Sequence, residues 1–382
     1  MRCLRQIREL IRLTQTPRDH KQIVFYCEGP NYFPHLQGLL QETLELVDQP
    51  CCYISSNRDD PGLGIDHPKL KQFETDEGHL RNWLFASLEA DLVILTMPDL
   101  EQYQLKRSPK VAHYAYVQHS LVSQHMIYRT GAFDHFDSVF CAGPHHIEEL
   151  QTLERIGGLK KKLLVEHGYG RLDAIRREAE QRPAEAVVDA TEPLHVLVAP
   201  SWGPNGVIET IGLELTNTLL EAGFSVTVRP HPQTAKLSPA TTAAIREKFD
   251  DHEHFTYEYG VSGQESLHRS DIMISDWSGA ALEYAFGLGK PVMFVDVPRK
   301  INNPDYLAVG IEPFEASIRE KIGGILNPAD LAELPEKLRE QCASWDPEEL
   351  PIHEYVFNLG DADKVGAKAI IRQAKALVSS KA

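Results

Sequence analysis

Eleven short apolar runs, each four to eight residues long, alternate with helix-patterned stretches along this chain. That alternation constrains the fold more than any other feature. The runs are 22–27, 51–55, 91–96, 111–118, 138–141 and 162–166, followed by a second series at 194–199, 225–229, 254–259, 271–275 and 291–296. Several, such as DLVILT, LHVLVA and PVMFVD, are continuously apolar, the pattern of parallel strands covered by helices on both faces. The expectation is an α/β protein with two Rossmann-like, doubly wound domains.

The 382 residues allow two domains of ordinary size. The expected joint is 176–193, where EAEQRPAEAVVDATEP is charged, carries two prolines and lacks a strand pattern. Domains of 22–180 and 190–355 follow, then a C-terminal helix within 356–382. A net charge of −16 argues against a general nucleic-acid binder, which needs clustered Lys and Arg. Six cysteines without a C-x-x-C pair or a spacing suited to metal suit a reducing compartment. No apolar run approaches bilayer-spanning length and no secretory signal is evident, so a cytoplasmic protein is expected.

Residues 1–21 break the acidic trend. They carry +4 through Arg2, Arg5, Arg8, Arg12, Arg18 and Lys21 against Glu9 and Asp19. On a helix, Arg2, Arg5, Arg8 and Arg12 cluster on one face and Leu4, Ile7, Leu10 and Ile11 on the other. Such a helix can lie on the anionic inner face of a cytoplasmic membrane through residues 1–20, or simply dock on its own domain.

In open α/β sheets ligands bind beyond the carboxyl ends of the strands, so chemistry is expected in those loops. In SDIMISDWSGAALEYAFGLGKPVMFVDVP, residues 270–298, a strand runs through Asp276 and Trp277 into a helix capped by Ser278. Amides at Gly279, Ala280 and Ala281 at the positive helix end would suit a phosphate, with hydroxyls of Ser275 and Ser278 added. Glu283, one turn on, could accept from ribose hydroxyls. An ordinary capped βα unit would use the same residues.

His231 follows a strand, held between Pro230 and Pro232 with Arg229 two residues earlier, and suits a developing phosphoryl charge. A capping histidine is the plainer alternative. His119 ends a first-domain strand and could take a proton from a hydroxyl, with His113 and His125 weaker candidates. Ser201 in APSWGPNG could line the donor pocket, and Arg171 and Asp173 in HGYGRLD could lie near a cleft between the domains. P-loop, dinucleotide-fingerprint, G-x-S-x-G and H-E-x-x-H motifs are absent. Asp361 and Asp363 read as a solvated turn, and no metal is predicted.

Together these motifs resemble the CDP-glycerol:poly(glycerophosphate) glycerophosphotransferases, a teichoic-acid and capsule polymerase family with a GT-B fold of two domains facing a central cleft. SDWSGAALEYAFGLGKPVMF resembles its S-D-Y-S-S…D-Y-A…K-P-[IV] segment. RPHP, APSWG and HGYGRLD fall where it has H-P, A-P-T-W and G-x-P-R-x-D, and Q-H-S shares the histidine of its H-G-T. Gly279, Glu283 and Ser120 depart from the family pattern. The resemblance implies a nucleotide-activated, CDP-linked donor and no cofactor, with His119 and His231 as paired catalytic histidines. Arg229, Ser275, Asp276, Ser278, Gly279, Glu283 and Ser201 would bind the donor, and a glycan or lipid-linked hydroxyl would accept. A nucleotide-sugar glycosyltransferase, a UDP-N-acetylglucosamine 2-epimerase and a catalytically silent binding protein are the rivals.

Overall fold

A computed structural model describes residues 2–102, 105–182, 193–259 and 264–379. The chain divides into two compact units. Unit 1 comprises 1–173, 305–309 and 353–382, and unit 2 comprises 174–304 and 310–352.

Unit 1 is built on strands β1 (Ile23–Cys27), β2 (Cys51–Ser55), β3 (Leu70–Glu74), β4 (Ala90–Leu95), β5 (Val111–Val117), β6 (Ser138–Cys141) and β7 (Leu163–Glu166). They form one parallel sheet in the order β3-β2-β1-β4-β5-β6-β7. Its helices are α1 (Arg2–Gln15), α2 (Gln37–Leu46), α3 (His79–Ser87), α4 (Gln124–Ile127), α5 (Pro144–Gly157) and the start of α6 (Gly170–Gln181). Every residue of β1, β2 and β4 is buried, which is why these strands read as unbroken apolar runs. Apolar side chains pack on both faces of the sheet, with Val24, Tyr26 and Val93 on one and Phe25, Leu92 and Ile94 on the other.

Unit 2 repeats the plan with β8 (His195–Val198), β9 (Ser225–Val228), β10 (Phe255–Tyr257), β11 (Ile272–Ser275), β12 (Val292–Val295) and β13 (Gly323–Leu326). The order is β10-β9-β8-β11-β12-β13, again all parallel. Helices α7 (Val207–Glu221), α8 (Pro232–Leu237), α9 (Pro239–Phe249), α10 (Glu265–Arg269) and α11 (Gly279–Leu288) join these strands. In each sheet the chain reverses direction beside its first strand, between β1 and β4 and between β8 and β11. Loops leaving those strands splay apart at the reversal and leave room for a ligand.

The expected strands are present, each within a residue or two of its expected limits, and two more appear. LKQFE at β3 has only two apolar residues, Leu70 and Phe73, separated by two polar ones, and GGIL at β13 opens on two glycines. Gly323 is there because a Cβ would lie 1.6 Å from the Val292 carbonyl oxygen of the paired strand.

The C-terminal helix Ala362–Ser379 is not a separate appendage. Ala367, Ala369, Ile370 and Ala374 pack into the unit 1 core with Leu36, Leu39 and Leu40. Asp361 is exposed and pairs with Lys364, as a solvated turn should. Asp363, expected in the same turn, is instead buried against Gly38 of α2 and Gly170 of α6, where any Cβ would strike its carboxylate.

Helix α1 docks by the face that carries Gln6, Leu10 and Leu13, all buried, and its arginines flank that face. Arg5 pairs with Glu74, Arg12 donates to the Gln72 carbonyl and lies 4.6 Å over the Phe73 ring, and Gln6 reaches Glu74 and Thr75. Of the expected apolar face, Leu10 is buried together with Leu13, whereas Leu4, Ile7 and Ile11 are 73%, 39% and 50% exposed. The physical reason lies in β3, an edge strand whose carbonyl and carboxylate groups need donors that arginine supplies. Among the described residues, no helix is long and apolar enough to cross a membrane.

Candidate active site

In unit 2 the loops leaving β8, β9 and β11 carry the expected donor residues. Asp276, at the end of β11, is the organiser. It is 1% exposed, and its Oδ1 accepts from the amides of Ser201 and Trp277, each at 2.6 Å. Burial raises its carboxyl pKa, with the Ser201 and Trp277 donors and the Lys300 charge opposing that rise. One carboxylate thereby ties the loop after β8 to the loop after β11. Trp277 is fixed in turn by its indole N–H, which donates to the Val297 carbonyl at 3.0 Å, and by the Arg319 guanidinium 4.3 Å over its ring.

Ser278 caps α11 as expected, its hydroxyl accepting from the Ala280 amide at 3.3 Å. Three free amides were expected here. The Ala281 amide instead donates to the Ser278 carbonyl and the Ala280 amide to the cap, which leaves the Gly279 N–H and a long, displaceable cap bond for an anion. Ser275 does not offer its proton to that site. It is fully buried and donates to the Ala199 carbonyl at 3.0 Å, joining β11 to β8. Glu283 sits in the second turn of α11, half-buried.

His231 caps α8, its Nδ1 accepting from the Gln233 amide at 3.1 Å. Burial and the nearby Lys300 charge hold its pKa down to about 4. At neutral pH the ring is therefore uncharged, with Nδ1 as acceptor and Nε2 carrying the proton. Capping and function do not compete here, because the cap bond fixes the tautomer that makes Nε2 a donor. The Trp202 ring lies 6.1 Å from the imidazole at 33°. Arg229 is buried, with its guanidinium donating to Ser266 of α10 at 3.2 Å. Ser201 is buried beside the same loop.

In unit 1, His119 follows β5 inside a shell of aromatic groups. The Tyr116 hydroxyl is 3.0 Å from its Nδ1 and the Tyr128 hydroxyl 3.1 Å from its Nε2. The Tyr169 hydroxyl donates to the His119 carbonyl at 3.1 Å and meets His35 Nδ1 at the same distance. Burial lifts Tyr116 well above the usual phenol range and holds His35 well below the usual imidazole range. A proton reaching His119 thus has a tyrosine hydroxyl on either side. The segment after His119 is clamped by α5, where His145 and His146 bond the Leu121 and Val122 carbonyls at 2.9 and 3.0 Å. Glu149 accepts from the Gln124 amide at 2.6 Å and faces His125. His113 bonds Ser138 at 2.9 Å within the sheet.

Glu28 was not anticipated. It leaves the end of β1, accepts from the Thr96 hydroxyl at the end of β4 at 2.8 Å, and burial raises its pKa to about 7. Its charge also acts on Tyr32, Tyr116 and Tyr128. The strand-end rule alone would have marked it, as it would Lys300 beyond β12. Asp173 proves structural. It is 1% exposed and its two oxygens accept from the Gly360 and Ala362 amides at 2.7 and 3.0 Å, capping the C-terminal helix. Arg171 is buried in the first turn of α6, where its charge helps to hold His35 neutral.

Part of the sequence matches a known family. Residues 134–298 match the model of the CDP-glycerol:poly(glycerophosphate) glycerophosphotransferases. That segment contains HGYGRLD, APSWG, RPHP and the Ser278 helix entry, so the resemblance holds where its motifs lie, while His119 precedes it. No curated protein matches the chain in sequence.

Among solved structures, the wall teichoic acid polymerase TagF, as a histidine variant soaked with CDPG, is 14% identical with a TM-score of 0.58, covering 98% of this chain and 99% of that one. The UDP-GlcNAc 2-epimerase from Neisseria meningitidis, bound to UDP-GlcNAc, is 13% identical with a TM-score of 0.59 and coverages of 92% and 99%. The epimerase from Methanocaldococcus jannaschii, with UDP-GlcNAc and UDP, is 13% identical with a TM-score of 0.57 over 92% and 99%. Identities this low speak for the fold, which is of GT-B type.

Proposed function

We propose that this protein transfers an alditol phosphate, of the glycerol phosphate type, from a CDP-activated donor to an acceptor hydroxyl. The observation that carries the reading is the pairing, within the family-matched segment, of the Ser278–Gly279 helix entry with a neutral His231 whose Nε2–H faces outward from its cap bond. Both supply donors without a fixed positive charge, which suits phosphoryl oxygens gaining charge during transfer.

In the proposed step the acceptor oxygen bonds to the β-phosphorus of the donor and the bridging P–O bond breaks, releasing CMP. The hydroxyl proton passes to His119 through its tyrosine shell. His231 and the Gly279 amide stabilise the phosphoryl oxygens, and Ser201 and Asp276 hold the loops in place.

Incubation with CDP-glycerol and a glycan or lipid-linked polyol acceptor should release CMP. His119→Ala and His231→Ala should each lower turnover at least a hundredfold with little change in melting temperature. Release of UDP from a nucleotide sugar, or epimerised UDP-GlcNAc without acceptor, would move the protein to another GT-B chemistry.

The location inferred for this reaction is an anionic membrane surface. The support is the outward stripe of Leu4, Ile7 and Ile11 with the exposed Arg8 beside it, and Trp83 of α3, which is 50% exposed. Contact would then run through the apolar side of α1, since Arg5 and Arg12 are engaged with the protein's own edge strand.

A further inference from the structure

Unit 2 holds a cavity of about 220 Å³ whose lining includes Trp202, Asn205, Asp276, Arg299, Lys300 and Asn302. Its most unusual occupant is Lys300. The Lys300 ammonium is half-buried and lies 4.2 Å over the Trp202 ring. Among the described residues it makes no ion pair. Arg299, its neighbour, is engaged with Glu312 at 2.5 Å. A cation partly withdrawn from water onto a π face, with the Asp276 and Glu209 charges acting on it only from beyond ion-pair distance, is incompletely compensated, and an anion would correct that. On the same wall, Asp276 presents a buried Oδ2 that has no hydrogen-bond partner among the described residues, an acceptor waiting for a hydroxyl.

We propose that this cavity is a seat for a phosphate-bearing polyol, with the phosphate on the Lys300 ammonium over Trp202 and a hydroxyl donating to Asp276 Oδ2. The proposal deepens the reading of unit 2 as a donor unit, and rests on that reading only for the origin of the phosphate. It could come from the transferred group of the donor or from the phosphate end of an acceptor.

The chemistry carries its own signature. Burial lowers the Lys300 pKa to about 8, against the opposing charges of Asp276 and Glu209. The other titratable groups facing it are His231, neutral above about 4, and Arg299. At pH 9 the free ammonium is mostly deprotonated, so seating an anion must draw in a proton. At pH 7 it need not.

The test is calorimetric titration of the full chain with glycerol phosphate, inorganic phosphate, CMP and CDP-glycerol. Each is measured at pH 7 and pH 9 in two buffers of different ionisation enthalpy. Wild type should take up close to one proton per phosphate ligand at pH 9 and little at pH 7. Lys300→Met should weaken the phosphate ligand at least tenfold and abolish the uptake, leaving CMP binding unchanged. Lys300→Arg should keep the binding without the uptake.

Loss confined to CDP-glycerol assigns the seat to the donor's transferred group, and loss of glycerol phosphate with CDP-glycerol unchanged assigns it to an acceptor end. No phosphate ligand bound by wild type, or binding indifferent to Lys300→Met, overturns the proposal. If wild type binds glycerol phosphate but not CDP-glycerol, the transferase reading fails and the seat stands.

Discussion

Replacing Glu28 with Gln should make unit 1 more stable, and by an amount that depends on pH. The carboxyl is largely buried at the end of β1, where it accepts from the Thr96 hydroxyl, and its pKa is raised from 4.5 to about 7. For an acid whose folded pKa lies above its unfolded one, the penalty is absent when both states are protonated. It grows as pH rises from 4.5 and levels off once the folded group ionises above 7. At about 1.4 kcal/mol per pH unit, the penalty is roughly 1 kcal/mol at pH 5 and roughly 3 kcal/mol at pH 8.

Glutamine keeps an oxygen to accept from Thr96 and never ionises, so Glu28→Gln should recover that penalty. Calorimetric melting, following the transition that carries unit 1, should show the variant a few degrees above wild type at pH 5 and up to about 10 °C above at pH 8. A gap of the same size at both pH values would mean that Glu28 titrates like a solvated carboxyl, and the reasoning from burial would fail.

Asp173→Ala removes a buried carboxylate that accepts two amides, each worth roughly 1.5–3 kcal/mol as a bond to a charged group. It should release the C-terminal helix to limited proteolysis while unit 2 melts unchanged. Ser278→Ala should cost about 1 kcal/mol of unit 2 stability through the lost cap, read by urea titration, and weaken nucleotide binding. Leu4→Ser, Ile7→Ser and Ile11→Ser together should reduce sedimentation with anionic vesicles at least tenfold and spare CMP binding. Arg5→Gln, by contrast, should lower stability through Glu74 more than it lowers vesicle binding.

Most strands that the sequence made plain are buried along their length, because full burial writes an unbroken apolar run, although the edge strands β7 and β10 were legible too despite their exposure. The two that were missed are also edge strands. LKQFE at β3 faces α1 on one side only, and GGIL at β13 is fixed by a backbone contact that no side-chain pattern records. The helix entry at Ser278 was legible because capping is local chemistry. Which amides it leaves free was not, since Ser278 supplies both its hydroxyl and its carbonyl to the turn. Ser275 and Asp173 stand at strand-end and helix-start positions where chemistry was expected, yet one serves the sheet and the other the C-terminal helix. Glu28 and Lys300 stand at strand ends that the ligand rule for open sheets marks, yet what they do there depends on Thr96 and Trp202, partners distant in sequence that no motif of fixed spacing can express.

The C-terminal helix has a consequence for how the molecule is made. Its Ile370 and Ala374 complete the packing over the α2 side of the unit 1 sheet, and Asp173 holds its first turn. During synthesis the strands of unit 1 leave the ribosome first, yet that sheet face stays only partly covered, by α2, until all of unit 2 has followed. Unit 2, whose two segments bracket only the short stretch 305–309, can close earlier. The domain that begins first therefore finishes last, and an interrupted chain should yield a folded unit 2 joined to an open, chaperone-dependent sheet.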